Sequence, residues 1–134
     1  MCGFTGFINL NNQPLNSRVL KAMTDIQGHR GPDDQGMIGF SMFKDIKVDV
    51  IDNETAEFSN LHAGIGFNRL SILDLSKNGH QPMISHCRNY ILAYNGETYN
   101  ALSFRDDLIA KGHPIKSRTD SEAVSYTHLT LPTN

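Results

Sequence analysis

Cys2 follows the initiator Met1 directly and precedes Gly3. If Met1 is removed, Cys2 becomes the true N-terminus and its α-amino group lies beside its thiol. An N-terminal amine is partly neutral near pH 7 and can accept a proton. A thiol is intrinsically a good nucleophile and needs only modest activation. One residue would then supply both nucleophile and general base. The competing reading is a small buried hydrophobe, the commonest fate of a lone cysteine. Other chemistries find less support. His29, His62, His80, His86, His113 and His128 do not pair with Cys87 at zinc-finger spacing, so no metal site is expected. The stretch Gly64–Arg69, GIGFNR, lacks the third glycine of a dinucleotide fingerprint, and no Walker A sequence occurs.

The elements that must carry Cys2 can be read in outline. Phe4, Phe7, Ile8 and Leu10 lie in a glycine-punctuated apolar segment that predicts a strand. Asn16 or Ser17 can cap a following helix, with Val19, Leu20, Met23 and Ile26 on one face and Gly28 at its end. His29 to Gly36, HRGPDDQG, is turn-rich loop. Strands are expected over Met37 to Phe43 and Leu61 to Phe67, and a strand or exposed hairpin over Asp45 to Glu57 around Ile46, Val48 and Val50. Tyr90 to Tyr94, YILAY, reads as a compact strand running into Asn95-Gly96, the strongest short-range turn signal in the chain. Leu102, Arg105, Leu108 and Ile109 suit an amphipathic helix stopped by Gly112-His113-Pro114. Thr119 and Glu122 have the spacing of a capping box. Strands and helices do not alternate regularly, which predicts antiparallel sheet with packed helices: α+β rather than α/β.

The segments MCGFTGF, HRGPDDQG, RLSILDL, GHQPM, YNGETYN and SRTDSEAV occur in this order along the chain. Together they resemble the glutaminase domain of asparagine synthases, within the class II, N-terminal-nucleophile glutamine amidotransferases. The resemblance covers about Met1 to Val124. It implies a four-layer αββα sandwich of two antiparallel sheets between helices. It also implies glutamine as substrate, with glutamate and ammonia as products of a Cys2 thioester. Cys2 matches the nucleophile. Asn95 and Gly96 match the oxyanion pair, the first by its side chain and the second by its backbone N–H. Arg69 matches the group that binds the substrate α-carboxylate, and a guanidinium fork suits that task. Glu97 and Asp120 match the acids that receive the α-ammonium. Asp120 also follows a helix cap, so a structural role rivals this one. The backbone at Ile72 and Leu73 matches a substrate-lining segment, and Arg30 to Asp33 matches an architectural loop near the site. Asn68 stands where the family often has histidine, and Thr98 replaces an aliphatic residue.

The sequence has 134 residues, with 39% apolar residues and a formal charge of −2. That suits one globular domain and excludes a disordered or fibrous chain. No basic stripe suggests nucleic acid, and no apolar run is long enough to span a membrane. No secretory signal is recognisable, and two cysteines make no disulfide framework, so a cytoplasmic location is expected. The expected division is an amidotransferase portion over 1–124 and an atypical tail over 125–134. That tail contains no Asp, Glu, Lys or Arg, and the resemblance leads one to expect a helix and further strands in its place. Glutaminase chemistry needs no cofactor. ATP and magnesium are expected only for a synthetase domain missing from this sequence, which would use the ammonia to make asparagine. Two alternatives stand beside this reading: the glutaminase half of another amidotransferase, acting on a sugar or cell-surface polysaccharide, and an inactive truncated fragment.

Overall fold

The computed structural model describes residues 1–41, 48–51 and 60–126. The chain divides into two units, Met1–Leu70 and Ser71–Asn134. The first unit contains β1 (Gly3–Ile8), α1 (Ser17–Ile26), β2 (Asp34–Phe40), β3 (Val48–Val50) and β4 (Ala63–Arg69). Its strands form one sheet in the order β1-β4-β2-β3, antiparallel at every pairing.

Helix α1 lies close on this sheet because β4 presents glycine to it. A Cβ on Gly64 would stand 2.7 Å from Leu20 Cδ2, and one on Gly66 would strike the Thr24 side chain. Leu15, Leu20, Met37, Ile51 and Leu61 form the core with Phe7 against them. Leu20 is fully buried, which contributes about 1.5–3 kcal/mol. Asn16 is the cap of α1, its Oδ1 accepting from Val19 N–H at 3.2 Å.

The buried stripe of α1 differs from the expected one. It runs Ser17, Leu20, Thr24, whereas Val19 and Ile26 are exposed. The glycine-lined strand leaves room for a small β-branched residue but not for a long one. The Thr24 hydroxyl is satisfied within the helix, donating to Leu20 O at 2.7 Å. Gly28 opens a short 3₁₀ turn, Gly28–Arg30, instead of closing α1 in a left-handed conformation.

The second unit contains a two-residue hairpin, β5 (Met83–Ile84) with β6 (Ile91–Leu92), then α2 (Ala101–Ala110) and α3 (Asp120–Ser125). The expected strand at Tyr90–Tyr94 is thus only two residues long. Its C-terminal end is diverted because the Gln81 side chain engages the main chain of Tyr94. Tyr94 N–H donates to Gln81 Oε1 at 2.7 Å, and Gln81 Nε2 donates to Tyr94 O at 3.3 Å. Helix α2 ends as expected at Gly112, whose φ is 83°. Gly112 N–H donates to Ile109 O and His113 N–H to Leu108 O, the paired bonds of a Schellman motif. Helices α2 and α3 pack together, with Ala101, Leu108, Ala123 and Tyr126 buried.

Thr119 caps α3, its Oγ1 accepting from Glu122 N–H at 3.3 Å. The return half of the capping box is absent. The Glu122 carboxylate accepts from Lys116 and Ser117 N–H, while Thr119 N–H donates to Ser117 Oγ. Helix α3 crosses Val124 and ends at Ser125. The remaining tail, 127–134, and most of the segment expected as strand or hairpin over Asp45–Glu57 lie outside the described residues, as do the last two residues of the Met37–Phe43 strand. The architecture is mixed α and β with antiparallel sheets. Among the described residues no helix is long and apolar enough to cross a membrane.

Candidate functional site

Cys2 stands one residue ahead of β1, whose register with β4 pairs Gly3 with Asn68. That pairing carries Cys2 to the C-terminal end of β4. There Leu70 N–H donates to Cys2 Sγ at 3.3 Å, and the thiol lies 3.7 Å from Leu70 O as a donor. Arg30, from the 3₁₀ turn after α1, donates from Nε to Cys2 O at 3.1 Å. Gly31 makes this turn possible, because any Cβ there would collide with the Asn68 and Arg69 main chain. Cys2 is half-buried and Met1 beside it is exposed. Sheet edge, strand end and turn thus fix the main chain around the Cys2 sulfur.

Arg69 is the last residue of β4 and is 5% exposed. It lies opposite Asp34 in the β2 register, and its carbonyl accepts from Asp33 N–H at 3.1 Å. Opposite charges across a strand pair are favourable. Cys2 and Arg69 therefore share one end of the sheet in the first unit. Asn68 beside them is structural. Its Nδ2 donates to Thr24 O at 2.6 Å, and its Oδ1 accepts from Gln35 Nε2 at 2.8 Å. Where histidine is expected from the resemblance, this chain uses an amide to tie α1, β2 and β4 together.

The remaining candidates lie in the second unit. Asn95, Gly96 and Glu97 are consecutive and exposed on the loop between β6 and α2. Helix α2, not a strand, is the next element after them, so Asn95-Gly96 is not a hairpin turn. The loop is held at both ends. Tyr94 is gripped by Gln81, and Thr98 N–H donates to Asp120 Oδ2 at 2.9 Å. The Tyr94 and Thr98 hydroxyls lie 2.9 Å apart and share a hydrogen bond. Asp120 is buried at the first position of α3, and its Oδ1 is 3.5 Å from Ser121 Oγ. Its carboxylate thus joins α3 to the end of the Asn95–Glu97 loop. Ile72 and Leu73 are exposed, so their side chains are not part of a buried pocket wall.

Sequence reasoning missed three contributors: the Arg30 bond to Cys2, the Gln81 grip on Tyr94, and the Thr98 hydroxyl. Gln81 belonged to a recognised motif, GHQPM, yet a side chain that binds main chain 13 residues away leaves no local signal. Among the described residues no group of three or more His, Cys, Asp or Glu is arranged to hold a metal ion.

The chain matches the glutamine amidotransferase domain over residues 1–131. It is 33% identical over 133 residues to asparagine synthetase (glutamine-hydrolysing) 1 of Bacillus subtilis, covering 96% of this chain and 17% of that protein. It is 29% identical over 132 residues to asparagine synthetase (glutamine-hydrolysing) 3 of the same organism, covering 96% of this chain and 18% of the relative. Glutamine–fructose-6-phosphate aminotransferase (isomerising) of Methanococcus maripaludis is 28% identical over 133 residues, covering 94% of this chain and 22% of the relative. The chain therefore spans about a fifth of the length of these proteins.

Proposed function

Because the chain belongs to the glutamine amidotransferase domain family, we propose that it hydrolyses the side-chain amide of glutamine with Cys2 as nucleophile. The observation that carries this reading is the held position of Cys2 at the sheet end, with its thiol on the Leu70 main chain and its carbonyl on Arg30. In the proposed cycle Met1 has been removed. The Cys2 thiol passes its proton to the Cys2 α-amine, and sulfur attacks the amide carbon. Asn95 and Gly96 stabilise the oxyanion; fixed donors of this kind are worth about 2.7–4 kcal/mol each. Collapse breaks the C–N bond, and the α-ammonium returns its proton to the leaving ammonia. Water, deprotonated by the same amine, then attacks the thioester carbon, releasing glutamate and restoring the thiol. Arg69 binds the substrate carboxylate, and Glu97 with Asp120 binds its ammonium. Ile72 and Leu73 contribute backbone to the substrate site. No cofactor enters these steps.

In the same proposal the ammonia serves ATP-dependent asparagine synthesis by a synthetase domain of the full-length protein, and the sheets belong to a four-layer αββα arrangement. The likeness to an asparagine synthetase at 33% identity supports this choice. The likeness to glutamine–fructose-6-phosphate aminotransferase supports a second reading, in which the acceptor is a sugar. The test is a glutaminase assay on protein lacking Met1. Equal amounts of glutamate and ammonia are expected from glutamine, and absence of both would overturn the proposal.

A further inference from the structure

We propose that the Tyr94–Thr98 hydroxyl pair is a positioning clasp that sets the Asn95-Gly96 turn for oxyanion stabilisation, an inference that rests on the reading of those two residues given above. The hydroxyls lie 2.9 Å apart and are half-buried, so they close residues 94–98 into a small ring. The Tyr94 ring also supports the turn from within. A Cβ on Gly96 would stand 2.7–2.9 Å from Cζ, Oη and Cε2 of Tyr94, so the Gly96 backbone rests directly against the aromatic edge. Outside the ring, each end has its own anchor: Gln81 holds N–H and C=O of Tyr94, and Asp120 holds N–H of Thr98. Between the anchors Asn95, Gly96 and Glu97 are exposed. The clasp is therefore the contact that determines how the exposed turn is curved. Donors placed about 1 Å wrong can cost as much as 10²-fold in rate, so a single hydroxyl here acts on turnover without touching substrate. Thr98 and Tyr94 are positioning residues, not catalytic ones.

Thr98→Val keeps the side-chain shape and deletes the hydroxyl, Tyr94→Phe deletes its partner, and Thr98→Ser preserves the bond. The full chain lacking Met1 and these variants are compared for kcat and KM with glutamine, and for the Gly96 amide resonance in ¹⁵N–¹H spectra. Thr98→Val and Tyr94→Phe should each lower kcat about 10-fold and leave KM within about twofold. The double variant should be no worse than either single one, and Thr98→Ser should recover most of kcat. Unchanged kcat in both hydroxyl deletions, or a loss in Thr98→Ser as large as in Thr98→Val, would overturn the clasp. If the unaltered chain releases no glutamate, the nucleophile reading falls and the resonance alone decides. A Gly96 shift in Thr98→Val that returns in Thr98→Ser supports the clasp, and coincident resonances in all three proteins overturn it.

Discussion

At the scale of single residues the proposed chemistry depends on one nitrogen. While Met1 is attached, the Cys2 nitrogen is a peptide amide and cannot act as a base. Retention of Met1 should therefore lower turnover about 10²- to 10⁴-fold, the usual worth of a general base. Intact mass and glutaminase rate measured on the same preparations check this. Full activity with Met1 attached would rule out the N-terminal amine as base. Arg69→Ala should raise KM for glutamine at least about 10-fold, since the substrate carboxylate loses a charge-assisted partner. An unchanged KM would mean that Arg69 serves the Asp34 strand pairing alone. Cys87 is the other thiol and behaves differently. The Ser85 hydroxyl, 3.3 Å away, and the Asn89 backbone hold it below the ordinary thiol range. A lowered pKa means more thiolate at neutral pH. Cys87 should thus react with iodoacetamide at a lower pH than the same residue in the unfolded chain. Ser85→Ala should move its rate–pH curve upward, and an unmoved curve would show that the hydroxyl contributes nothing.

At the scale of elements, what could be read from the sequence was local chemistry. The Asn16 and Thr119 caps and the Gly112 stop are each set by residues within one turn, and each forms. What could not be read depends on distant partners. The buried stripe of α1 follows from glycines on β4, some 40 residues away, and the strand at Tyr90–Tyr94 is cut short by Gln81. The candidate site divides the same way. Cys2 is a candidate from its position and type, whereas the roles proposed for Arg69, Asn95, Gly96 and Asp120 rest only on the resemblance. The Asn68 tie between α1, β2 and β4 provides a stability test. Asn68→Ala removes a buried amide whose Nδ2 and Oδ1 are both engaged. It should destabilise the chain by about 1–3 kcal/mol in denaturant unfolding. A loss below about 0.5 kcal/mol would show that the tie is not a structural pin.

At the scale of the whole molecule, the proposed function assigns this chain the glutamine-hydrolysing step alone. Activating a carboxylate for amidation needs a nucleotide, and no Walker A sequence occurs in this sequence. With glutamine, aspartate, ATP and magnesium the chain should therefore form glutamate and no asparagine; asparagine from pure protein would reveal a second active site. The central claim is that Cys2 performs the glutamine chemistry. Its most direct test is the rate of glutamate release from glutamine by the chain lacking Met1 and by its Cys2→Ala variant, with unfolding curves confirming that both are folded. The account predicts steady release by the unaltered chain and at least about a 10³-fold loss in the variant. Comparable release by folded Cys2→Ala would contradict it.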